Sequence, residues 1–384
     1  MAFEIALLPP LALYIHFPWC VRKCPYCDFN SHAVREGIPE AAYVEALLAD
    51  FEQALPRLSG REFSSVFIGG GTPSLLSPKA LERLFSGLRA SQTFSPEVEI
   101  TMEANPGTTD TARFAAYRAA GVTRVSIGVQ SLDDELLKRI GRIHGRREAL
   151  AAIEAAARHF DTWNLDLMYA LPGQSLAQAA EDIEMALSFS PPHLSCYHLT
   201  LEPNTAFHRA PPVLPDDELC ADMQDQLEAL LELVGYEHYE TSAFARPGHR
   251  CRHNLNYWRF GDYLGIGAGA HGKLTDASGV FRETRARHPR AYLEAAGQGS
   301  FVQTLERVKS EALPFEFMMN ALRLLEGVPS TLFEARTGLP LSEIENAWRE
   351  ARDRGLMVAD REKLAPTELG RRFLNDLLEI FLEH

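Results

Sequence analysis

The sequence predicts an α/β protein: a partial (β/α)6 barrel of the TIM type, followed by a smaller, mostly helical domain similar to a winged helix. Six short apolar runs, rich in β-branched and aromatic residues, alternate with stretches of helical periodicity, a pattern typical of parallel strands joined by helical crossovers. Polar residues and glycines recur at the C-terminal ends of these runs. Barrels assemble their sites there, which favours a barrel over an open doubly wound sheet.

The predicted elements alternate strictly along the first part of the chain. The strands are LALYIHF (11–17), SSVFIGGG (64–71), EVEITMEA (97–104), VTRVSIGVQ (122–130), NLDLMYALPG (164–173) and PHLSCYHLTL (192–201). Amphipathic helices are predicted over 41–55, 78–90, 149–160 and 177–189, and a further helix over 219–236. Each crossover is expected to be right-handed.

The pattern changes twice, which divides the chain into three parts. Residues 1–245 are predicted to form the barrel, and residues 246–308 a connecting segment that contains HNLNYW. The stretch 236–274, rich in aromatic residues, His, Arg and Gly, is predicted to form a strand followed by long structured loops. Residues 309–384 are predicted to form the helical domain. That domain holds ten Lys and Arg against fourteen Asp and Glu, the wrong sign for a phosphate-binding face, so a structural or protein-contact role is expected.

Composition excludes several classes of function. A formal net charge of -14 argues against general binding to nucleic acid or to an anionic membrane surface. The apolar N-terminal segment lacks a basic leader, a cleavage site and the roughly 18 apolar residues of a membrane span, so a cytoplasmic protein is expected. Six cysteines in 384 residues are too few for a disulfide scaffold.

Half of those cysteines lie close together, at Cys20, Cys24 and Cys27, in the order C-x3-C-x2-C directly after the first predicted strand. One interpretation is a zinc site completed by His32, which the spacing permits. The other is an iron-sulfur cluster. Such clusters usually take four protein thiolates, so three would leave one iron open for a ligand.

The cysteine spacing, its place after the first strand and the aromatic Tyr26 before the third cysteine resemble the signature of the radical SAM superfamily. The resemblance implies that the three cysteines hold a 4Fe-4S cluster. It also implies that S-adenosylmethionine (SAM) binds the fourth iron.

The same resemblance implies a SAM site at the strand ends. Gly69–Pro73 (GGGTP) would receive the methionyl group, and Gly70→Val is expected to block SAM by filling the space that backbone approach requires. Glu103 would bond a ribose hydroxyl. The implied SAM contacts are Tyr14, Gly70, Gly71, Thr72, Glu103, Gln130, Arg142 and Asp166.

Within the superfamily, the chain resembles the branch that contains the coproporphyrinogen III dehydrogenase and related heme chaperones. Three features favour the chaperones. Phe29 stands where the dehydrogenase pattern has a fourth cysteine, only 11 residues precede Ala12, and HNLNYW, His253–Trp258, matches the H-N-x-x-Y-W motif of the chaperones. The dehydrogenase, an oxidative decarboxylase, is the alternative.

The chaperone resemblance implies heme as a third ligand, near the H-N-x-x-Y-W motif. Residues 246–259 contain four arginines, two histidines and no acid. Arginines can bind heme propionates through paired hydrogen bonds, Tyr257 or Trp258 could cover the macrocycle, and His253 could ligate the iron. Asn254 belongs to the same motif.

Other interpretations of this segment stay open. His249 and His271 compete with His253 as iron ligands, and a solvated basic loop above buried aromatics is as plausible from the residues alone. The resemblance implies heme and recipient respiratory heme proteins as partners. It leaves open whether the recipients lie at the membrane, whether the chain forms a homodimer and whether SAM is cleaved.

Overall fold

The computed structural model describes Ile5 and residues 7–92 and 94–382. The strands are β1 (Leu11–Phe17), β2 (Trp19–Cys20), β3 (His32–Ala33), β4 (Phe63–Gly70), β5 (Phe94–Ala104), β6 (Arg124–Gln130), β7 (Thr162–Tyr169), β8 (His193–His198), β9 (Glu237–Glu240), β10 (Ala243–Ala245), β11 (Asp262–Ile266), β12 (His271–Asp276), β13 (Gly279–Arg285), β14 (Val302–Arg307), β15 (Val328–Pro329) and β16 (Lys363–Leu364).

Helices follow most of the long strands. They are α1 (Glu40–Ala54), α2 (Pro78–Ser91), α3 (Thr111–Ala120), α4 (Asp134–Arg139), α5 (Arg146–His159), α6 (Leu176–Leu187), α7 (Ala206–Arg209), α8 (Asp217–Leu233), α9 (Arg252–Trp258), α10 (Pro289–Gln298), α11 (Leu313–Ala321), α12 (Thr331–Thr337), α13 (Glu345–Asp353), α14 (Glu368–Arg372) and α15 (Leu374–Glu379).

One large sheet organises the molecule, with the order β14-β13-β12-β11-β1-β4-β5-β6-β7-β8-β10-β9. Its centre is the six predicted strands, β1 and β4 to β8, each parallel to the next. The prediction of a six-stranded α/β barrel is therefore confirmed. The sheet extends further at both edges, where β11 adds a parallel strand beside β1 and antiparallel strands follow.

Alternation along the strands separates the apolar core from the barrel interior. On β6, Val125, Ile127 and Val129 are fully buried in the apolar core. The residues that alternate with them, Arg124, Ser126, Gly128 and Gln130, line a cavity inside the barrel. Because successive side chains of a strand point to opposite faces, one strand both packs against helices and supplies polar groups to the interior.

Residues 246–308 differ from their sequence-based description. The expectation of long loops is wrong, because this segment forms α9, β11 to β14 and α10, and all four of its strands join the large sheet. Buried Asp262 accepts hydrogen bonds from Lys273 Nζ at 2.9 Å and Arg61 Nη1 at 2.7 Å. Burial alone would raise the pKa of Asp262, but these two cations lower it, so the ionic cluster ties β11 to its neighbours.

The C-terminal part is mostly helical, as predicted, and has a second apolar core that includes Phe317, Phe333 and Trp348. The short strands β15 and β16 pair antiparallel, and a further bridge joins Met357 and Pro366. Across the described ranges, no helix has the length and apolar character needed to cross a membrane.

Candidate functional site

A cavity of about 420 Å³ opens at the C-terminal ends of the barrel strands. We call it the first cavity. Most of the residues predicted for the cluster and SAM meet there, although they come from the cysteine loop, four strands and the segment between α4 and α5. The predicted residues that line it are Cys20, Cys24, Tyr26, Cys27, Gly70, Gly71, Thr72, Glu103, Gln130, Arg142, Asp166 and Asn254.

The three-cysteine loop forms one rim of the first cavity. It is fastened to the end of β4, because the backbone N–H of Thr72 donates to Trp19 O at 2.7 Å. Cys24 and Cys27 lie in one turn, closed by the Cys27 N–H to Cys24 O bond at 3.2 Å. Burial raises the pKa of the Cys20 and Cys27 thiols, so both favour the protonated form until a metal is bound.

The donor set does not fit the zinc interpretation. In the part of the chain that the structure describes, no three His, Cys, Asp or Glu side chains are close enough to hold one metal ion. The His32 ring instead packs edge-on against His288, with 5.1 Å between ring centroids. Three thiols on one cavity rim, without His32 as a fourth ligand, fit a cluster that leaves one iron open.

Arg142 connects the cysteine loop to the barrel. Its Nη1 lies 3.8 Å from Cys24 Sγ and 3.4 Å from the Tyr26 hydroxyl, and its Nη2 donates to Gly128 O at 2.5 Å. Burial opposes its charge, but Tyr26 and Cys24 outweigh that and raise the pKa of Arg142. Its buried Nε has no partner among the described residues, so a donor remains for an anionic group in the cavity.

The glycines of GGGTP let neighbouring protein atoms pack directly against the backbone. Gly70 has φ +112°, and a Cβ there would lie 2.5 Å from the His16 ring. A Cβ on Gly71 would lie 2.5 Å from Trp19 O. The side chain of Gly70→Val would therefore also collide with His16, and the block of SAM by this substitution stays a prediction.

Two carboxyl groups face each other across the first cavity. Glu103 Oε2 accepts the Gly70 N–H at 3.0 Å, and burial, with the charge of Asp166, raises the pKa of Glu103 to about 8. Asp166 accepts hydrogen bonds from Ser126 Oγ at 2.9 Å and Asn164 Nδ2 at 2.8 Å, and burial raises its pKa as well. Near neutral pH, Glu103 is thus mostly protonated and suits a neutral polar group such as a hydroxyl.

Gln130 occupies an unusual backbone conformation at the end of β6. Its φ of 70° is in the left-handed region, which residues other than glycine rarely adopt. Such strain persists where the surroundings impose it and is common at ligand sites. Here it accompanies a break in the register between β6 and β7.

Sequence reasoning missed a polar network at the base of the first cavity. His193 Nδ1 lies 2.6 Å from Asn164 Oδ1, and its Nε2 lies 2.8 Å from the Tyr239 hydroxyl. Within the described ranges, buried Arg124 Nη2 and Thr101 Oγ1 have no partner. Alternation of polar with apolar residues along β6 and β7 was the available signal for these side chains.

The residues predicted for heme separate in the structure. Asn254 lines the first cavity, whereas Tyr257 lines a second one, together with Tyr14, a residue predicted to contact SAM. Trp258 packs against the C-terminal core, with the guanidinium carbon of Arg323 4.3 Å from its ring centroid. Arg323 therefore covers one face of the Trp258 ring, and Trp258 lines neither of the two cavities.

His253 is enclosed, with 1% of its surface exposed. Its Nδ1 lies 3.0 Å from Ser65 Oγ and its Nε2 lies 3.0 Å from the Tyr257 hydroxyl, while Phe67 stacks on the ring at 5.1 Å. Burial lowers the pKa of His253 to about 3. Iron ligation by this residue would require one of the two hydrogen bonds to break, and the geometry gives that role no support.

Comparison with known proteins extends these observations along the whole chain. A model of the radical SAM superfamily matches residues 14–186, and a model of the HemN C-terminal domain matches residues 308–373. The heme chaperone HemW of Escherichia coli is 51% identical over 377 residues, covering 98% of this chain and 99% of the relative. HemW of Haemophilus influenzae is 48% identical over 381 residues, covering 98% of each.

The fold also has a solved counterpart. The structure of coproporphyrinogen III oxidase (HemN) from Escherichia coli, a radical SAM enzyme, matches with a TM-score of 0.82 over 97% of this chain and 90% of that chain. The two sequences are 22% identical. This likeness shows a common fold for the barrel and the helical domain.

Proposed function

The chain belongs to the HemW family of the radical SAM superfamily, and from that premise we propose that it is a heme chaperone. It binds heme and transfers it to a respiratory heme protein. A 4Fe-4S cluster on Cys20, Cys24 and Cys27, with SAM beside it, occupies the first cavity. We place this activity in the cytoplasm, since the three thiols must remain reduced to hold a cluster.

The observation that carries the proposal is the full-length match to a curated HemW, at 51% identity. The cysteine loop supports the same conclusion, since Phe29, and not a fourth cysteine, follows its third cysteine. Phe29 is 57% exposed and lines the first cavity beside the cysteines. It therefore presents an apolar surface where the dehydrogenase pattern has a thiol.

The site residues suit the proposed cofactors. Three thiols of the rim would hold the cluster, and the C-terminal end of β4 with the residues after it, Gly70–Thr72, would contact SAM. Glu103, protonated near neutral pH, can donate to or accept from a ribose hydroxyl. When bound, the cluster and SAM supply one-electron redox chemistry.

The protein's own contribution is to position and to shield. The Arg142 guanidinium beside Cys24 stabilises negative charge on the sulfur and keeps a free Nε for the SAM carboxylate. The polar network at the cavity base holds Asp166 in place through Ser126 and Asn164. The charge stabilisation by Arg142 and the positioning of Asp166 both depend on the exclusion of bulk water from the cavity, because polar contacts are stronger where the dielectric constant is low.

The test is anaerobic reconstitution with iron and sulfide, followed by two parallel assays. One titrates hemin and follows its absorption, and the other follows the loss of coproporphyrinogen III with SAM and a reductant. We expect saturable hemin binding and no turnover of coproporphyrinogen III. The alternative, an oxygen-independent coproporphyrinogen III dehydrogenase, would replace the proposal if protoporphyrinogen IX formed at a catalytic rate.

A further inference from the structure

A second cavity, of about 370 Å³, adjoins the first one, with which it shares lining residues. Three tyrosines from different strands and from α9 form its walls: Tyr14, Tyr257 and Tyr263. The rings of Tyr257 and Tyr263 meet edge to face, with 4.6 Å between centroids. Flat apolar walls that carry a few polar groups are typical of cavities for planar ligands.

Two exposed side chains at this cavity, those of His271 and Arg287, form no side-chain hydrogen bond or ion pair in the described part of the protein, whereas the side chains of nearby His16 and Arg282 do. His271, the first residue of β12, makes no side-chain hydrogen bond in the described part of the protein, whereas both ring nitrogens of nearby His16 are engaged, with Tyr14 and Asn30. Partial burial and the nearby arginines Arg287 and Arg282 lower the pKa of His271, so its imidazole is neutral at physiological pH. A neutral imidazole is the form that ligates iron.

Arg287 is the second unoccupied group. Its guanidinium forms no ion pair within the described ranges, and its backbone carbonyl accepts the Asn30 amide at 2.8 Å, which fixes its place at the rim. Arg282 differs, because its Nη2 donates to Glu316 at 2.6 Å and its Nη1 to the Tyr263 hydroxyl at 2.7 Å. Only Arg287 of these two is thus ready to bind an external carboxylate.

We propose that heme binds in this second cavity, with His271 as the iron ligand, Arg287 on a propionate and the macrocycle against Tyr257, Tyr263 and Phe29. The inference rests on the proposed function, since it concerns where heme binds. It moves the iron ligand from His253, whose nitrogens are both occupied, to a histidine that is open to the cavity.

The H-N-x-x-Y-W motif then acts through its tyrosine. His253 Nε2 lies 3.0 Å from the Tyr257 hydroxyl and holds that phenol in the cavity wall. His253 is therefore a positioning residue for the macrocycle face. Asn256 Nδ2 donates to Asp262 O at 2.8 Å and fixes α9 on β11, which keeps Tyr257 beside Tyr263.

The two cavities share a wall. Phe29, Gly70 and Glu103 line both of them, and Phe29 follows the cysteine loop directly. A bound cluster would fix this loop and with it the Phe29 ring. The position where the dehydrogenase pattern has a fourth thiol therefore becomes part of the heme cavity.

The experiment titrates ferric hemin into reconstituted wild type and into His271→Ala, and records the Soret band and the affinity. Removing an iron ligand should shift the band and lower the affinity by about tenfold or more, and added imidazole should restore the wild-type band. The matched control is His208→Ala, an exposed histidine outside both cavities. It should behave as wild type.

Arg287→Ala gives an independent arm because its exposed side chain is not needed for folding. It should lower hemin affinity by about tenfold without moving the Soret band, and Arg287→Lys should restore part of that loss. If wild type does not bind hemin at all, the proposed function fails. If wild type binds hemin and both His271→Ala and Arg287→Ala bind it with an unchanged band and affinity, heme lies elsewhere and this inference alone is overturned.

Discussion

The two cavities share three residues but are built in opposite ways. In the first, polar side chains are fixed by one another: Asn164 bonds Ser126 at 2.7 Å, and Arg142 bonds Gly128 O. In the second, His271 and Arg287 are exposed at the cavity and bond no other side chain in the described structure. A site fixed in advance suits a resident cofactor, whereas open, unengaged groups suit a cargo that must also leave.

The difference extends to the elements that supply each cavity. The first is lined by strand ends of one barrel, β4 to β8, so its geometry follows from the sheet. The second combines β1 with β11, β12 and α9. Variants of the first cavity should therefore affect the cluster and the fold, and variants of the second should affect heme.

The largest effect is expected at the cysteine loop. Serine at Cys20, Cys24 or Cys27 should abolish the brown chromophore of anaerobically purified protein, because each thiol is one of three cluster ligands. Hemin titration should still saturate, since His271 and Arg287 lie on other elements. Cys220→Ser, outside both cavities, is the control and should keep the colour. Stoichiometric zinc in wild type, without iron or sulfide, would contradict the cluster.

Gly70→Val should destabilise the fold by about 4 kcal/mol, because the new side chain meets the His16 ring and the backbone there has φ +112°. Denaturant unfolding of the apoprotein measures this. Gly297→Ala is the matched control, since a Cβ there meets nothing within 4 Å, and it should not destabilise. A Gly70→Val protein as stable as wild type that no longer binds SAM would instead show a simple steric block.

His253→Ala should cost about 3 kcal/mol of stability, because it empties a buried site and leaves the Ser65 and Tyr257 hydroxyls without their partner. The Soret band of bound hemin should keep its position, while affinity falls as Tyr257 loses its anchor. Arg259→Ala, on the exposed side of the same segment, should change stability by less than about 0.5 kcal/mol. A shifted Soret band in folded His253→Ala would make His253 the iron ligand after all.

A pH dependence of stability is expected from Glu103 in the first cavity. Because the pKa of Glu103 rises from 4.5 in the unfolded chain to about 8 in the folded one, the folded state holds an extra proton between these values. The contribution of Glu103 to stability should then decrease as pH rises from about 4.5 to about 8. Thermal unfolding of wild type against Glu103→Gln measures it, with exposed Glu97→Gln as control. Parallel curves for wild type and Glu103→Gln across this range would show that Glu103 titrates normally.

Sequence alone predicted the first cavity well, for a physical reason. Parallel strands end at one edge of a sheet, so residues at the ends of predicted strands, such as Glu103, Gln130 and Asp166, had to meet. The cysteine motif directly follows the first strand, so the sequence also predicted that the cysteine loop lies at this end of the barrel. The polar base was missed because Arg124 and His193 resemble ordinary strand residues until the inward face of each strand is known.

The second cavity could not be predicted from local patterns. Its walls bring together Tyr14 and Tyr263, which are far apart in the sequence, through the pairing of β1 with β11. The segment before β11, rich in aromatic residues, His and Arg, indicated loops, but tertiary packing makes HNLNYW the helix α9. One face of α9 is buried, and this encloses His253 but leaves Tyr257 at the cavity. A helix of seven residues is too short for its hydrophobic periodicity to show which face that is.

The most direct test of two cavities with two different iron centres is a crystal structure of the reconstituted protein with hemin, using anomalous scattering at the iron edge. We expect one group of iron peaks at Cys20, Cys24 and Cys27 and a separate single peak within bonding distance of His271, with Tyr257 and Tyr263 against the macrocycle. A single iron peak at His253, or heme density inside the first cavity, would contradict this arrangement.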